Sequence, residues 1–302
     1  MATSKNEMRF HIRSVGNISK VTRALEAVSV SKARQATQLL HATRPYADRA
    51  WRVVLHLAGQ PEGSDLHPLL APRPSPKSAL VIVITSDRGL AGGYNMNVVR
   101  AALNKFKDYP HPVSYIAVGS RGGDMLAHRG KDMLAEYSGL DIGQDLKQII
   151  GIGNLALESY LTRSCDEVFL CFTEYVDRAV QRVMVRKLLP LEEGRHGQAR
   201  VPGNQATSAR SIFLYEPDKR QVIDVILPRY IALQVYVAVL SAEASEHTIR
   251  MVSMHSATKN AKELMGSLQM RYHKTRQKDI TNEILDISGA AEALQEHAAN
   301  ED

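Results

Sequence analysis

The first 58 residues repeat apolar side chains at Met8, Ile12, Val15, Ile18, Val21, Leu25 and Val28, in steps of three and four. That period predicts one face of a long helix. Small residues then take over the seam at Ala33 and Ala36, ahead of Leu39 and Leu40, and let a neighbouring helix approach closely. Pro45 either kinks this helix or begins a second helical piece, Tyr46 to Leu57. The last segment, 217–293, has the same texture. Its series runs Ile231, Val235, Ala238, Ala242, Ile249, Val252, Ala261, Leu264, Leu268, Tyr272, Ile280, Ile284 and Ile287. The series lapses around Glu243 to His247 and again at Lys274 to Asp279. A helix of about 60 residues is about 90 Å long, too long for a compact domain of this chain to cover. Two such helices at opposite ends of one chain can cover each other as a long antiparallel coiled coil.

The middle has another texture. Pro61 to Lys77 is proline-rich and reads as a linker. Ala79 to Thr85 is an apolar, β-branched run with the composition of a buried strand. It ends in Ser86-Asp-Arg-Gly-Leu-Ala-Gly-Gly-Tyr94 and passes into a helix, Asn95 to Lys107. Further strands are predicted at Val113–Val118, Glu167–Thr173, Val180–Leu188 and Ser211–Tyr215. A helix is predicted over Asp145–Arg163, a loop over Gly119 to Asp124 followed by another short helix, and a polar loop over Glu192–Ala209. Strands alternating with helices imply an α/β fold: a central Rossmann-like domain with a mostly parallel sheet. Three parts result: an N-terminal coiled-coil helix at 1–58, a globular domain at 77–216 and a C-terminal coiled-coil helix at 217–293.

Composition adds bounds. The chain has 302 residues, 23% of them charged, and no apolar run near the ~18 residues of a membrane span, stretches such as Tyr230 to Leu240 being too short or carrying polar residues. Its beginning lacks the apolar core of a secretory signal or the long Arg-rich stretch of a transit peptide. Cys165 and Cys171 read as reduced core cysteines of one buried strand rather than a disulfide or metal pair. The formal net charge of +6 asks for a polyanionic partner. Along 1–58 ten bases, among them Arg13, Lys20, Arg23 and Lys32, face only three acids, Glu7, Glu26 and Asp48. A nearly single-signed face implies an acidic surface passing nearby. Few aromatics interleave with these bases, so a stacking platform for single-stranded nucleic acid is disfavoured.

Candidate chemistry is sparse. The turns Asp87–Gly93 and Gly119–Gly123 occupy places where phosphate can be cradled, but neither has the spacing of a dinucleotide or P-loop fingerprint. They read as turns that pack helices on the sheet. His255 and His273 are poor candidates for metal ligands, and no catalytic constellation, cofactor site or metal site is evident. The alternatives left open are a coiled-coil scaffold or nucleic-acid-binding protein with an appended α/β domain, and a dinucleotide enzyme.

Several blocks nevertheless resemble one family. Ser14-Val-Gly-Asn-Ile-Ser-Lys-Val-Thr-Arg-Ala-Leu-Glu-Ala-Val-Ser-Val-Ser-Lys32 looks like the N-terminal signature of the gamma subunits of F-type ATP synthases. Ile84 to Asn95 is similar to that family's strand-to-helix turn, and Leu214 to Asp218 to its approach to the last helix. Ser245 to Ala261 and Tyr272 to Ala290 resemble its C-terminal signature. The blocks stand in family order across nearly the whole chain.

The resemblance implies a non-catalytic rotor shaft that couples proton-driven rotation of a membrane c-ring to conformational cycling of the catalytic beta subunits. The implied partners are three alpha and three beta subunits, an epsilon subunit and the c-ring, with no nucleic acid. The implied place is the cytoplasmic face of the bacterial cell membrane, reached peripherally through the complex. Carried over residue by residue, Arg276, Gln277, Thr281 and Glu283 match positions that grip a beta-subunit loop. Leu25, Val28 and Lys32 match positions facing the beta-subunit levers, and Tyr215 and Glu216 match positions near the ring. Leu25, Ala27, Val30 and Lys278-Asp279 depart from commoner residues of the family, which bears on local packing at the levers.

Overall fold

In the computed structural model, residues 5–58, 69, 73, 75–140, 145–191 and 219–299 are described. The elements in order are α1 (Lys5–Ala58), β1 (Ala79–Ile84), α2 (Tyr94–Lys105), β2 (Val113–Val118) and α3 (Ser120–Ala127). There follow β3 (Met133–Tyr137), α4 (Leu146–Leu161), β4 (Glu167–Tyr175), β5 (Gln181–Leu189) and α5 (Lys219–Ala299). The described chain forms two compact units. One combines Met1–Val28 with Met251–Asp302, and the other is Ser29–Arg250.

The larger unit is built on a five-stranded sheet in the order β3-β2-β1-β4-β5. The pairs β1–β2, β1–β4 and β2–β3 are parallel, and β4–β5 is antiparallel. All six residues of β1 are buried, as expected of a central strand covered on both faces. Alternate side chains go to opposite sides. Leu80, Ile82 and Ile84 join α4, α5 and the later part of α1 in one core; Ala79, Val81 and Val83 join α2 and α3 in the other. The first core is closed by Leu40, Val54, Ile152, Tyr160, Ile231 and Val235, each 1% exposed or less. Trp51 of α1 stacks on Tyr230 of α5, with ring centroids 5.5 Å apart. Gly153 of α4 lets the α5 backbone come so near that an added Cβ would sit 3.0 Å from the Ala232 Cα.

Two local readings are corrected. The loop expected at Gly119–Asp124 is mostly helix, because α3 begins at Ser120. Strand β3, which the pattern did not mark, pairs with β2 at the sheet edge, where half-buried residues alternate with exposed ones. Of the two readings left open at Pro45, the separate second helical piece is not the one seen: the proline lies inside one continuous helix. The expected strand Ser211–Tyr215 and the loop Glu192–Ala209 fall outside the described residues. Cys165 and Cys171 are both free and buried, but only Cys171 lies in the strand.

An 18-residue window of α5 between Gln221 and Ala290 reaches a mean hydropathy of 1.7, apolar and long enough to cross a membrane. No apolar run of that length is expected there from the sequence, because polar residues such as Arg229 and Gln234 interrupt it. Tyr230, Ile231, Val235, Ala238, Val239, Leu240 and Ala242 are nonetheless buried against the sheet domain, which accounts for the apolar content of the helix there.

Candidate functional site

In the smaller unit the two ends of the chain form an antiparallel helix pair. Arg9 donates from Nε to the Tyr272 hydroxyl at 2.8 Å. Met265 Sδ lies 3.8 Å from where a Cβ on Gly16 would stand. The Thr22 and Thr258 hydroxyls are 2.7 Å apart, and His255 Nδ1 is 2.9 Å from Glu26 Oε1. As numbers rise on α1 their partners on α5 fall by the same amount, the mark of antiparallel pairing in one register.

This seam keeps only part of the stripe that the apolar pattern marks: Met8, Ile12, Val15 and Leu25 are half-buried and Ala261 is buried. Thr22 is 9% exposed and Thr258 6%, with Met251, Met254 and Ala261 also buried. Ile18, Val21 and Val28, expected in the seam, are 52%, 59% and 56% exposed. Val252, Leu264, Ile280, Ile284 and Ile287 are turned outward as well. At the Thr22–Thr258 level small polar residues pack closely with their hydroxyls satisfied, so no large apolar side chain is needed there. The outer surface that results mixes apolar side chains with exposed Arg9, Arg13, Lys20 and Arg23.

The residues matched to family contacts fall in separate groups. On α1, Leu25 is half-buried while Val28 and Lys32 are exposed, and their spacing of three and four puts them on one face. On α5, Arg276, Gln277, Thr281 and Glu283 are exposed, and Thr281 Oγ1 donates to the Gln277 carbonyl at 2.9 Å. Glu26 lies level with His255, so Leu25 and Arg276 stand about 30 Å apart along the smaller unit. Tyr215 and Glu216 lie outside the described residues. Leu285, 63% exposed, and Met270, 71% exposed, add to the apolar outer face; their signal in the sequence was an apolar residue out of phase with the seam.

The two glycine-bearing turns in the larger unit are filled from within. Asp87 accepts backbone N–H bonds from Ser120 and Gly139, each at 2.9 Å. Ser86 N–H donates to Asn95 Oδ1 at 2.9 Å. Gly119, at φ +96°, faces the Thr85 carbonyl, and Gly122 donates its N–H to Thr85 Oγ1 at 2.9 Å. The glycines serve the close approach of α3 to the end of β1. His255 pairs with Glu26, and among the described residues no three His, Cys, Asp or Glu side chains gather as a metal site. An open apolar groove of about 270 Å³, lined by Tyr46, Leu146, Ile150, Pro228, Leu233 and Tyr236, was not foreseen.

The fold thus defines a class: chains whose two ends pair as antiparallel helices and whose middle folds as a doubly wound α/β sheet. The family described as ATP synthase (ATP-synt) matches residues 4–294. The ATP synthase gamma chain of Roseiflexus castenholzii is 39% identical over 296 residues, covering 97% of this chain and 99% of its own. That of Alkaliphilus metalliredigens is 36% identical, covering 98% and 100%. A chain of the Euglena gracilis mitochondrial ATP synthase rotor shares the fold at a TM-score of 0.64 and 21% identity, over 92% of this chain and 100% of that one. This chain belongs to the ATP synthase gamma chain family.

Proposed function

We propose that this chain is the central shaft of a rotary ATP synthase and carries no catalytic site of its own. The observation that carries the proposal is the paired-helix unit, whose outer face mixes exposed apolar and basic side chains, in a chain of the gamma family. Segments 1–58 and 217–293 form the shaft and 77–216 its foot. The shaft turns inside a ring of three alpha and three beta subunits, with an epsilon subunit and the c-ring at the foot. Because it is asymmetric, it contacts the open and closed states of each beta subunit differently, and only such differential contact shifts their populations.

Leu25, Val28 and Lys32 meet an acidic lever of the beta subunits, drawn by the basic face of α1. Arg276, Gln277, Thr281 and Glu283 are gripped by a beta-subunit loop further along the shaft. Tyr215 and Glu216 meet the c-ring, and the complex places the chain at the cytoplasmic face of a bacterial membrane.

The test is purification of the tagged chain from its own membranes. Recovery with alpha and beta subunits at a sub-stoichiometric ratio, one shaft to three of each, is expected. Recovery alone, or with nucleic acid that salt strips away, would overturn the assignment.

A further inference from the structure

The part of α5 where the apolar pattern lapses is interior: Ala244, Ser245, His247, Thr248 and Arg250 are all buried. Its polar groups converge on the turn that follows β1. Arg250, 6% exposed, donates from Nε to the Gly89 carbonyl at 3.2 Å and from Nη2 to the Arg88 carbonyl at 3.3 Å. Nη2 also meets Glu246 Oε1 at 2.6 Å, and Nη1 lies 3.1 Å from His247 Nδ1. His247 Nε2 in turn is 3.5 Å from Glu243 Oε1. On the far side of the turn the Tyr94 hydroxyl donates to the Ala242 carbonyl at 3.2 Å. The turn keeps Leu90 at φ +63°, a conformation that persists only where neighbours over-determine it.

All of these partners of Arg250 lie, like Arg250 itself, within the larger unit. Apolar packing is non-directional and constrains sliding weakly at one point. A planar guanidinium with its donors spread over two carbonyls, a carboxylate and an imidazole fixes direction as well as distance. We propose that Arg250 is a positioning residue for rotation, bolting the 86–93 turn, and through it β1, to the last helix so that the sheet follows the helix under torque. This rests on the shaft function above.

The experiment uses the whole ATP synthase in inverted membrane vesicles and reads protons pumped per ATP hydrolysed, with amide exchange over residues 86–93. Arg250→Gln is expected to lower that ratio about threefold to tenfold and to speed exchange in the turn, with assembly intact. Arg250→Lys keeps a charge opposite Glu246 but not the fork, and is expected to fall between. A wild-type ratio in both variants would overturn the proposal. Should Arg250→Gln not assemble, Arg250→Lys decides alone, a lowered ratio supporting and a wild-type ratio refuting. An unaltered chain that supports no pumping would instead strike the shaft function itself.

Discussion

At the scale of single residues, burial sets the chemistry of the two thiols. Cys171, between β4 and α2, donates to the Val98 carbonyl at 3.5 Å, and burial pushes its thiol up to about 12. Burial likewise pushes Cys165 up to about 11, against a smaller opposing pull from Arg73. The thiolate is the reactive form, so at pH 8 neither cysteine is expected to react with iodoacetamide in the folded chain. Labelling of the native chain as fast as that of the denatured one would contradict this. Asp166 behaves oppositely. Its partial burial is outweighed by N–H bonds from Lys77 and by Arg73, which hold its carboxyl below the ordinary 3.8. A depressed carboxyl contributes stability above its unfolded pKa and loses it as pH falls through the folded one. Asp166→Asn should therefore lower the melting temperature at pH 7, and the gap from wild type should close below pH 3.8.

At the scale of elements, close approach and mutual satisfaction decide where helices sit. Gly119→Ala would place a Cβ 2.5 Å from the Thr85 carbonyl oxygen at a φ of +96°, and a loss of roughly 2 kcal/mol or more is expected by denaturant melts. In the helix pair, Thr22→Val removes one partner of a hydroxyl pair. A double-mutant cycle with Thr258→Val should return a coupling of about 1 kcal/mol, and zero coupling would remove the pair from the account of the seam. These elements also show what the sequence made legible. The two long helices, β1, β2 and the mostly parallel sheet followed from periodicity and β-branched runs. The seam followed only in part, since Thr22 and Thr258 are polar one at a time and become interior only as a pair. Edge strand β3 was hidden by its half-exposed pattern, and Glu243 to Arg250 by charges that pair along the helix and, at Arg250, with carbonyls more than 150 residues away. Of the candidate contacts, only membership of an exposed helix face could be anticipated from spacing. The partner each face meets is written in another chain.

At the scale of the molecule, exposed side chains do their work in an assembly. Arg276 is exposed on α5, so Arg276→Ala should leave the chain's own stability within about 0.5 kcal/mol while reducing coupled ATP synthesis severalfold. An unchanged synthesis rate in vesicles would remove Arg276 from the gripped set. Within the helix pair, the Thr22–Thr258 and Glu26–His255 contacts have one more consequence. A wholly apolar seam could creep by a turn and find equivalent contacts, but here a slip parts the buried hydroxyl pair and the Glu26–His255 ion pair at once. The pair is splined: pull on one helix along its axis and the other must travel with it.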